Sequence, residues 1–210
     1  MLFDVVLVSV TAASVVSLLG AIRSHDRTLE AISKTVASAS FVALGAARWT
    51  PGDSIGAWLI AGLVLCAAGD ILLLRDRTFD LGLISFLLGH LAYVAGFRTA
   101  LPLGRWPVLI LVPLALAGVA VLSWLWPRLG RRRMPVAAYV AAITAMVWGG
   151  VSVTAAGALP WTAAGGAVLF YLSDLAVARQ RFVHASFVNR AFGLPLYYAA
   201  QILIGLTVGA

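Results

Sequence analysis

The sequence predicts an all-α integral membrane protein of eight transmembrane helices, in a single transmembrane domain over residues 1–210. Two parallel four-helix repeats, 1–104 and 105–210, are expected within it. Three observations carry this. Hydrophobic residues make up 62% of the chain and charged residues 11%, where a soluble domain is nearer half apolar and a quarter charged; the mean hydropathy is +1.00. Apolar runs of the ~20 residues that cross a bilayer recur along the whole chain. Finally, a polar pattern in the first half returns in the second.

Taken in order, the spans fall at about 2–22, 31–49, 55–74, 79–100, 106–126, 135–157, 162–178 and 186–208. The first opens as "MLFDVVLVSV" with no basic residues ahead of it, which reads as a retained span and not a cleaved signal. The connections are short and carry turn or charge signals: "RSHDR", "TPGD", "RDRT", "LPLGR", "PRLGRRRM", "ALPW" and "RQRFVH". Cys66, the single cysteine, sits within a span, so neither an intramolecular disulfide nor a thiolate metal cluster is available.

The net charge of +7 does not point to nucleic acid, because the basic residues are gathered in the short gaps between spans. Arg23, Arg27, Arg75, Arg77, Arg128, Arg131, Arg132, Arg133, Arg179 and Arg181 occupy the odd connections, against Arg48, Arg98 and Arg105 on the other side. Lys34 and Arg190 lie near span ends. Positive residues stay cytoplasmic, so the odd connections are expected in the cytoplasm and both termini outside, in a bacterial inner (plasma) membrane. The arginines at 131–133 read as topology determinants touching lipid phosphates.

The returning pattern begins with "AAGDILLLRDR" (Ala67 to Arg77) and "YLSDLAVARQR" (Tyr171 to Arg181). Asp174 lies 104 positions after Asp70, and the same offset joins Arg75 to Arg179, Arg77 to Arg181, Gly89 to Gly193, Tyr93 to Tyr197 and Gly45 to Gly149. A shift of four spans preserves direction across the membrane, which makes the expected repeats parallel. Five residues before its arginine, each carboxylate would lie ~7 Å inside the interface. A pseudo-twofold axis would turn both toward one central cavity.

An ionisable group within a span suggests function, because leaving it without a partner costs several kcal/mol. The candidates are Lys34, Asp70, His90, Tyr93, Asp174, Asn189, Arg190, Tyr197, Tyr198 and Gln201, with Tyr139 able to join them. His90 and Tyr93 share one helix face, as do Tyr197 and Gln201. Structural readings compete: either aspartate can serve as an ion-pair partner for Lys34 or Arg190, Lys34 can snorkel from its span end, and His90 can satisfy an interhelical hydrogen bond. His25 and His184 fall in connections and need no special role. No Gly-rich phosphate loop, Gly-x-Ser-x-Gly or His-Glu-x-x-His occurs. The Gly-x-Gly-Asp and Tyr-Asp signatures of intramembrane aspartyl proteases fail at Ala67 and Ser173. No metal site or cofactor is expected.

At these residues the chain resembles the lysoplasmalogenase family, also called YhhN-like, of eight-span membrane proteins. The matching strings are "SKTVASA", "GDILLL", "FLLGHLAY", "LFYLSDLAVARQRF" and "LYYAAQILI", in family order across most of the chain. The resemblance implies a metal-independent hydrolase. Its implied reaction cleaves the vinyl ether of a lysoplasmenyl-phosphoethanolamine or -phosphocholine to a fatty aldehyde and the glycerophospho-alcohol. It also implies site roles for Lys34, Asp70, His90, Tyr93, Asp174, Tyr197 and Gln201, with a lysophospholipid and the bilayer as partners. The chemistry fits two aspartates, assigned here as the catalytic pair. Vinyl ether hydrolysis starts by protonating the β-carbon, giving an oxocarbenium ion, and so calls for one protonated and one ionised carboxyl. Burial and like charge favour the neutral form of one, while Lys34 or Arg190 favours charge on the other. Glycosidases use a similar pair around a similar cation. Either aspartate can fill either role at this level. A proton-coupled transporter of lipids or small molecules would use the same carboxylates, although Pro113 and Pro195 do not interrupt equivalent spans. A non-catalytic lipid-binding protein is a third class.

Overall fold

The computed structural model describes residues 2–210, and among them every regular element is helical. Eight long helices run α1 (Leu2–Ser24), α2 (Arg27–Arg48), α3 (Ser54–Leu72), α4 (Phe79–Ala100), α5 (Val108–Leu125), α6 (Arg133–Ala155), α7 (Trp161–Ala178) and α8 (Phe187–Thr207). Short 3-10 turns fill several connections, and α7 ends in a π-helical turn over Arg179–Val183. Side-chain caps start three helices: Asp26 accepts from the Leu29 N–H, Asp53 from Gly56 and Ser186 from Asn189. Each satisfies an amide that the helix itself leaves open.

Among the described residues, six helices are long and apolar enough to cross a membrane: α1, α3, α4 with its leading turn, α5, α6 and α7. The expectation of eight spans is met to that extent. Helices α2 and α8 occupy the places expected of the second and eighth spans, but they fall outside that apolar set. The physical reason lies in their composition. Arg27, Glu30, Lys34, Ser33, Ser38 and Ser40 lie on α2, and Asn189, Arg190 and Gln201 on α8, so polar side chains replace part of the apolar surface.

Helix neighbours trace a ring: α2 packs on α3, α3 on α4, α4 on α6, α6 on α7, α7 on α8, and α8 back on α2. Helix α1 lies outside against α2 and α8, and α5 lies outside against α6. Only 11% of the most apolar window of α5 is covered by protein. Its outward row of Leu109, Val112, Leu116 and Val119 is exposed, as a lipid-facing helix requires.

Small residues set the closest helix approach. Gly82, Gly89 and Gly96 recur at seven-residue spacing on α4 and face α3. A Cβ at Gly89 would sit 2.7 Å from Cys66 Sγ and 3.3 Å from the Gly62 carbonyl oxygen. On α8, a Cβ at Gly193 would meet Ala176 of α7 at 2.9 Å. Glycine lets the backbones approach where lipid gives no hydrophobic drive for association.

The two ends of the ring differ. Toward the even connections it is filled by Phe41, Leu59, Leu63, Phe97, Met146 and Ile204, all fully buried. Phe170 lies between the ends, with its ring against those of Phe86, His90, Tyr93 and Tyr197. Beyond it, toward the odd connections, the ring is hollow.

Candidate active site

The hollow end encloses a cavity of about 480 Å³ with walls from all eight helices. Each contributes the end nearest an odd connection: Leu18 and Ile22 of α1, Lys34 of α2, Asp70 of α3, Phe86 of α4, Leu125 of α5, Tyr139 of α6, Asp174 of α7 and Tyr197 of α8. Asp70 and Asp174 thus line one cavity. Apolar side chains dominate its walls, an arrangement suited to a ligand that is mostly hydrocarbon.

Asp70 is buried, with only 2% of its surface exposed, and its carboxylate is saturated with donors. Ser38 donates to Oδ2 at 2.7 Å and Tyr197 to the same oxygen at 2.6 Å. The Lys34 ammonium lies 3.3 Å from Oδ1. A cation and two hydroxyls stand where the carboxyl has lost water. Lys34 therefore turns inward to the carboxylate instead of snorkelling to the interface.

Asp174 has a sparser environment. Tyr139 donates to Oδ2 at 2.8 Å, and His90 Nε2 lies 3.6 Å from that oxygen. His90 is fully buried, and its Nδ1 lies 2.6 Å from the Phe86 carbonyl oxygen. A carbonyl only accepts, so Nδ1 carries the hydrogen. In neutral histidine Nε2 is then a bare acceptor facing a carboxyl oxygen. At 3.6 Å the two are beyond hydrogen-bond distance, and Nε2 has no hydrogen-bond partner among the described residues. The two carboxyls thus differ in their surroundings: Asp70 meets a cation and two hydroxyls, Asp174 one hydroxyl and a buried imidazole.

The other sequence candidates divide between the wall and the packing behind it. Tyr93 donates to Gln201 Oε1 at 2.7 Å, and both are buried outside the cavity wall beside Cys66. Tyr198 is buried behind Tyr197, ring centroids 4.9 Å apart, and it too lies off the wall. Asn189 lines the cavity and secures the turn into α8, donating to Gln180 Oε1 at 3.1 Å and to the His184 carbonyl at 2.7 Å. Arg190 also lines the cavity, but its partner is Glu30 at 3.1 Å and not an aspartate. Ser38 and Glu30 were not among the sequence candidates. Their signal was spacing: Glu30, Lys34 and Ser38 recur every four residues and so share one face of α2.

The YhhN family model matches residues 29–208, which takes in every residue of both aspartate clusters. The chain belongs to the YhhN family. Among relatives of this YhhN protein, a lysoplasmalogenase of Mycobacterium bovis is 36% identical over 159 residues, covering 70% of this chain and 58% of its own. Lysoplasmalogenase TMEM86B of Rattus norvegicus is 35% identical, covering 75% of this chain and 64% of its own. Lysoplasmalogenase TMEM86A of Homo sapiens is 33% identical, with 71% and 64% covered. The YhhN chain thus spans about three-fifths of the length of these relatives. No solved structure matches it.

Proposed function

We propose that the protein is a membrane-embedded lysoplasmalogenase-like hydrolase that cleaves the vinyl ether of a lysoplasmalogen. The observation carrying this reading is the unequal environment of two carboxyls on one apolar cavity: Asp70 held by Lys34, Ser38 and Tyr197, Asp174 held by Tyr139 with His90 Nε2 3.6 Å away. The names of the relatives supply the substrate class.

In this mechanism the alkenyl chain lies along the apolar wall, with its vinyl ether between the carboxyls. The Asp174–His90 pair delivers its proton to the β-carbon. The double bond supplies the electron pair for the new C–H bond, and positive charge develops across the α-carbon and ether oxygen. The Asp70 carboxylate stabilises that oxocarbenium ion. Water adds to the α-carbon and gives its proton to Asp174, regenerating the acid. The resulting hemiacetal collapses to the fatty aldehyde and the glycerophospho-alcohol. One water is consumed, no redox change occurs, and no metal is required.

We also read α2 and α8 as spans. Ring closure shields their polar residues from lipid, as is usual for intramembrane polar groups, and the count of eight places both termini on one side. The excess of arginine at the hollow end supports a cytoplasmic position for that end. The ring's neighbour pairs are compatible with a duplication of 1–104 into 105–210: α1 on α2 pairs with α5 on α6, α3 on α4 with α7 on α8, and α4 on α6 with α8 on α2. A reporter fused after Ala210 should give an extracytoplasmic signal. A cytoplasmic one would reverse the orientation.

The decisive assay for the activity is aldehyde release from a purified alkenyl lysophospholipid by the purified protein in detergent. Release is expected, with no dependence on added metal. Transport of the lipid by reconstituted protein without aldehyde release would favour a transporter instead.

A further inference from the structure

Ring order places α2 opposite α6 and α3 opposite α7. The line from Asp70 to Asp174 is therefore crossed by one from α2 to α6, and polarity changes along it. At the α2 side the cavity is lined by Glu30 and Lys34, with Asn189 and Arg190 of neighbouring α8. At the α6 side it is lined by Val136, Val140 and Ile143, with the Tyr139 hydroxyl turned to Asp174. The cavity does not stop there. Val121 and Leu125 of α5 also line it, although α5 stands outside the ring. Leu125 belongs to an aliphatic cluster with Val136 and Val140, on which Ala178 and Phe182 of α7 pack. The end of α5 thus covers the α6–α7 seam, and its outward row faces lipid.

The two ends of α5 are held differently. Ahead of it, Trp106 is buried, donates to the Leu101 carbonyl at 2.8 Å and sets its ring edge-on to Trp148. Trp148 in turn donates to the Pro107 carbonyl at 2.9 Å. From Val108 to Leu125, no hydrogen bond or ion pair among the described residues joins α5 to another helix. Just past α5, the Arg133 guanidinium lies 5.1 Å from the Trp126 ring. Pro113 lies within the helix and has no amide hydrogen, so the Leu109 carbonyl lacks its helical donor. The helix is anchored before the proline and held beyond it by apolar contact.

We propose that the α6–α7 seam is a lateral portal for the hydrocarbon chain of a single-chain lipid, with the part of α5 beyond Pro113 as its movable cover. The proposal rests on the lysophospholipid reading above and adds the path by which that lipid reaches the aspartates from the bilayer. Displacing the end of α5 breaks aliphatic contacts that lipid tails replace, since hydrocarbon is as apolar as the side chains it parts. The proline supplies the place to bend. The mouth at the odd connections is less suited to a chain. Arg75, Asp76 and Arg181 line it, with Arg181 3.1 Å from Asp76 and 4.1 Å from the centre of the Phe79 ring. A chain entering there would strip water from charged groups, whereas one entering by the seam meets valine, leucine and phenylalanine.

The path can be tested apart from catalysis with a saturated long-chain alkyl lysophosphocholine ether, which lacks the double bond that must be protonated, carrying a diazirine at its chain end. Photolysis with the full-length wild type in lipid nanodiscs should label Val121, Leu125, Val140 or Phe182. Excess unlabelled ether should remove that label, which separates it from bilayer contact with the outer face of α5. Competed label on Leu18 or Ile22 of α1 instead would overturn the portal. The cover is tested by tethering it. A Cβ at Gly118 would sit 3.3 Å from Val140 Cγ1, so a Gly118→Cys/Val140→Cys pair, in a Cys66→Ala background, is placed to form a disulfide. Oxidation of the pair should slow the appearance of competed label by about tenfold or more, and dithiothreitol should restore it. A short-chain, water-soluble ether with the same diazirine should be captured at an unchanged rate. Equal rates for the long-chain probe before and after confirmed disulfide formation would overturn the proposal, as would equal slowing of both probes. Competed label at the seam without aldehyde release from an alkenyl lipid would leave the portal standing and remove the hydrolase reading. Aldehyde release with label on α1 would do the reverse.

Discussion

Asp174→Asn is expected to lower aldehyde release by about 10²–10⁴-fold, the usual worth of a positioned general acid–base group, with the protein still inserting and folding. The amide keeps the shape of the side chain, and its oxygen can still accept from Tyr139, 2.8 Å from the carboxyl in the native protein. It cannot deliver a proton of useful acidity or recover one from water. Its NH2 group can donate to His90 Nε2, so the local packing is preserved while the mobile proton is lost. Thermal stability in detergent, measured on the same samples, should stay near wild type. Near-native aldehyde release from this variant would exclude Asp174 as the acid.

Asp70→Asn should also disable turnover, by on the order of 10²–10³-fold through lost stabilisation of the cation, but with a different accompaniment. Lys34 is 12% exposed and Asp70 3% exposed over their side chains. Removing the negative partner leaves a nearly buried ammonium uncompensated, which commonly costs about 3–5 kcal/mol. This variant should therefore melt at a lower temperature than Asp174→Asn. Lys34→Met should be milder in rate than either, because Ser38 and Tyr197 still donate to the carboxylate. Asp70→Asn with full activity would contradict the charge-stabilising role. A rate loss in Lys34→Met equal to that in Asp70→Asn would make Lys34 more than a partner.

The helices were legible in the sequence because long apolar runs and short punctuated gaps leave little freedom. The fourth span, expected at 79–100, coincides with α4 (Phe79–Ala100), and the seventh, expected at 162–178, begins one residue after Trp161 starts α7. The polar candidates were visible because a carboxylate or lysine inside an apolar run is costly unless partnered. Pairing between helices was less accessible. Arg190 and Lys34 were equally plausible partners for an aspartate, and only the ring closure of α2 against α8 and α3 assigns Lys34 to Asp70 and Arg190 to Glu30. Ser38 is short and common in membrane helices, so nothing but its position four residues after Lys34 marked it. The difference between the two aspartates was invisible for a similar reason. Both lie in the same Asp-x4-Arg-x-Arg pattern, while the groups that separate them come from α2 and α8 in one case and from α4 and α6 in the other.

Transfer of a proton to carbon within this cavity is the central step of the proposed mechanism, and the solvent isotope effect on aldehyde release measures it most directly. Initial rates for the wild-type protein with a saturating alkenyl lysophospholipid should be clearly higher in H2O than in D2O, over the range where rate does not vary with pH. The hydrogen in flight is then the one held by Asp174 and His90. Equal rates in the two solvents, with product release shown not to be limiting by a single-turnover measurement, would contradict protonation of carbon as the step this site performs.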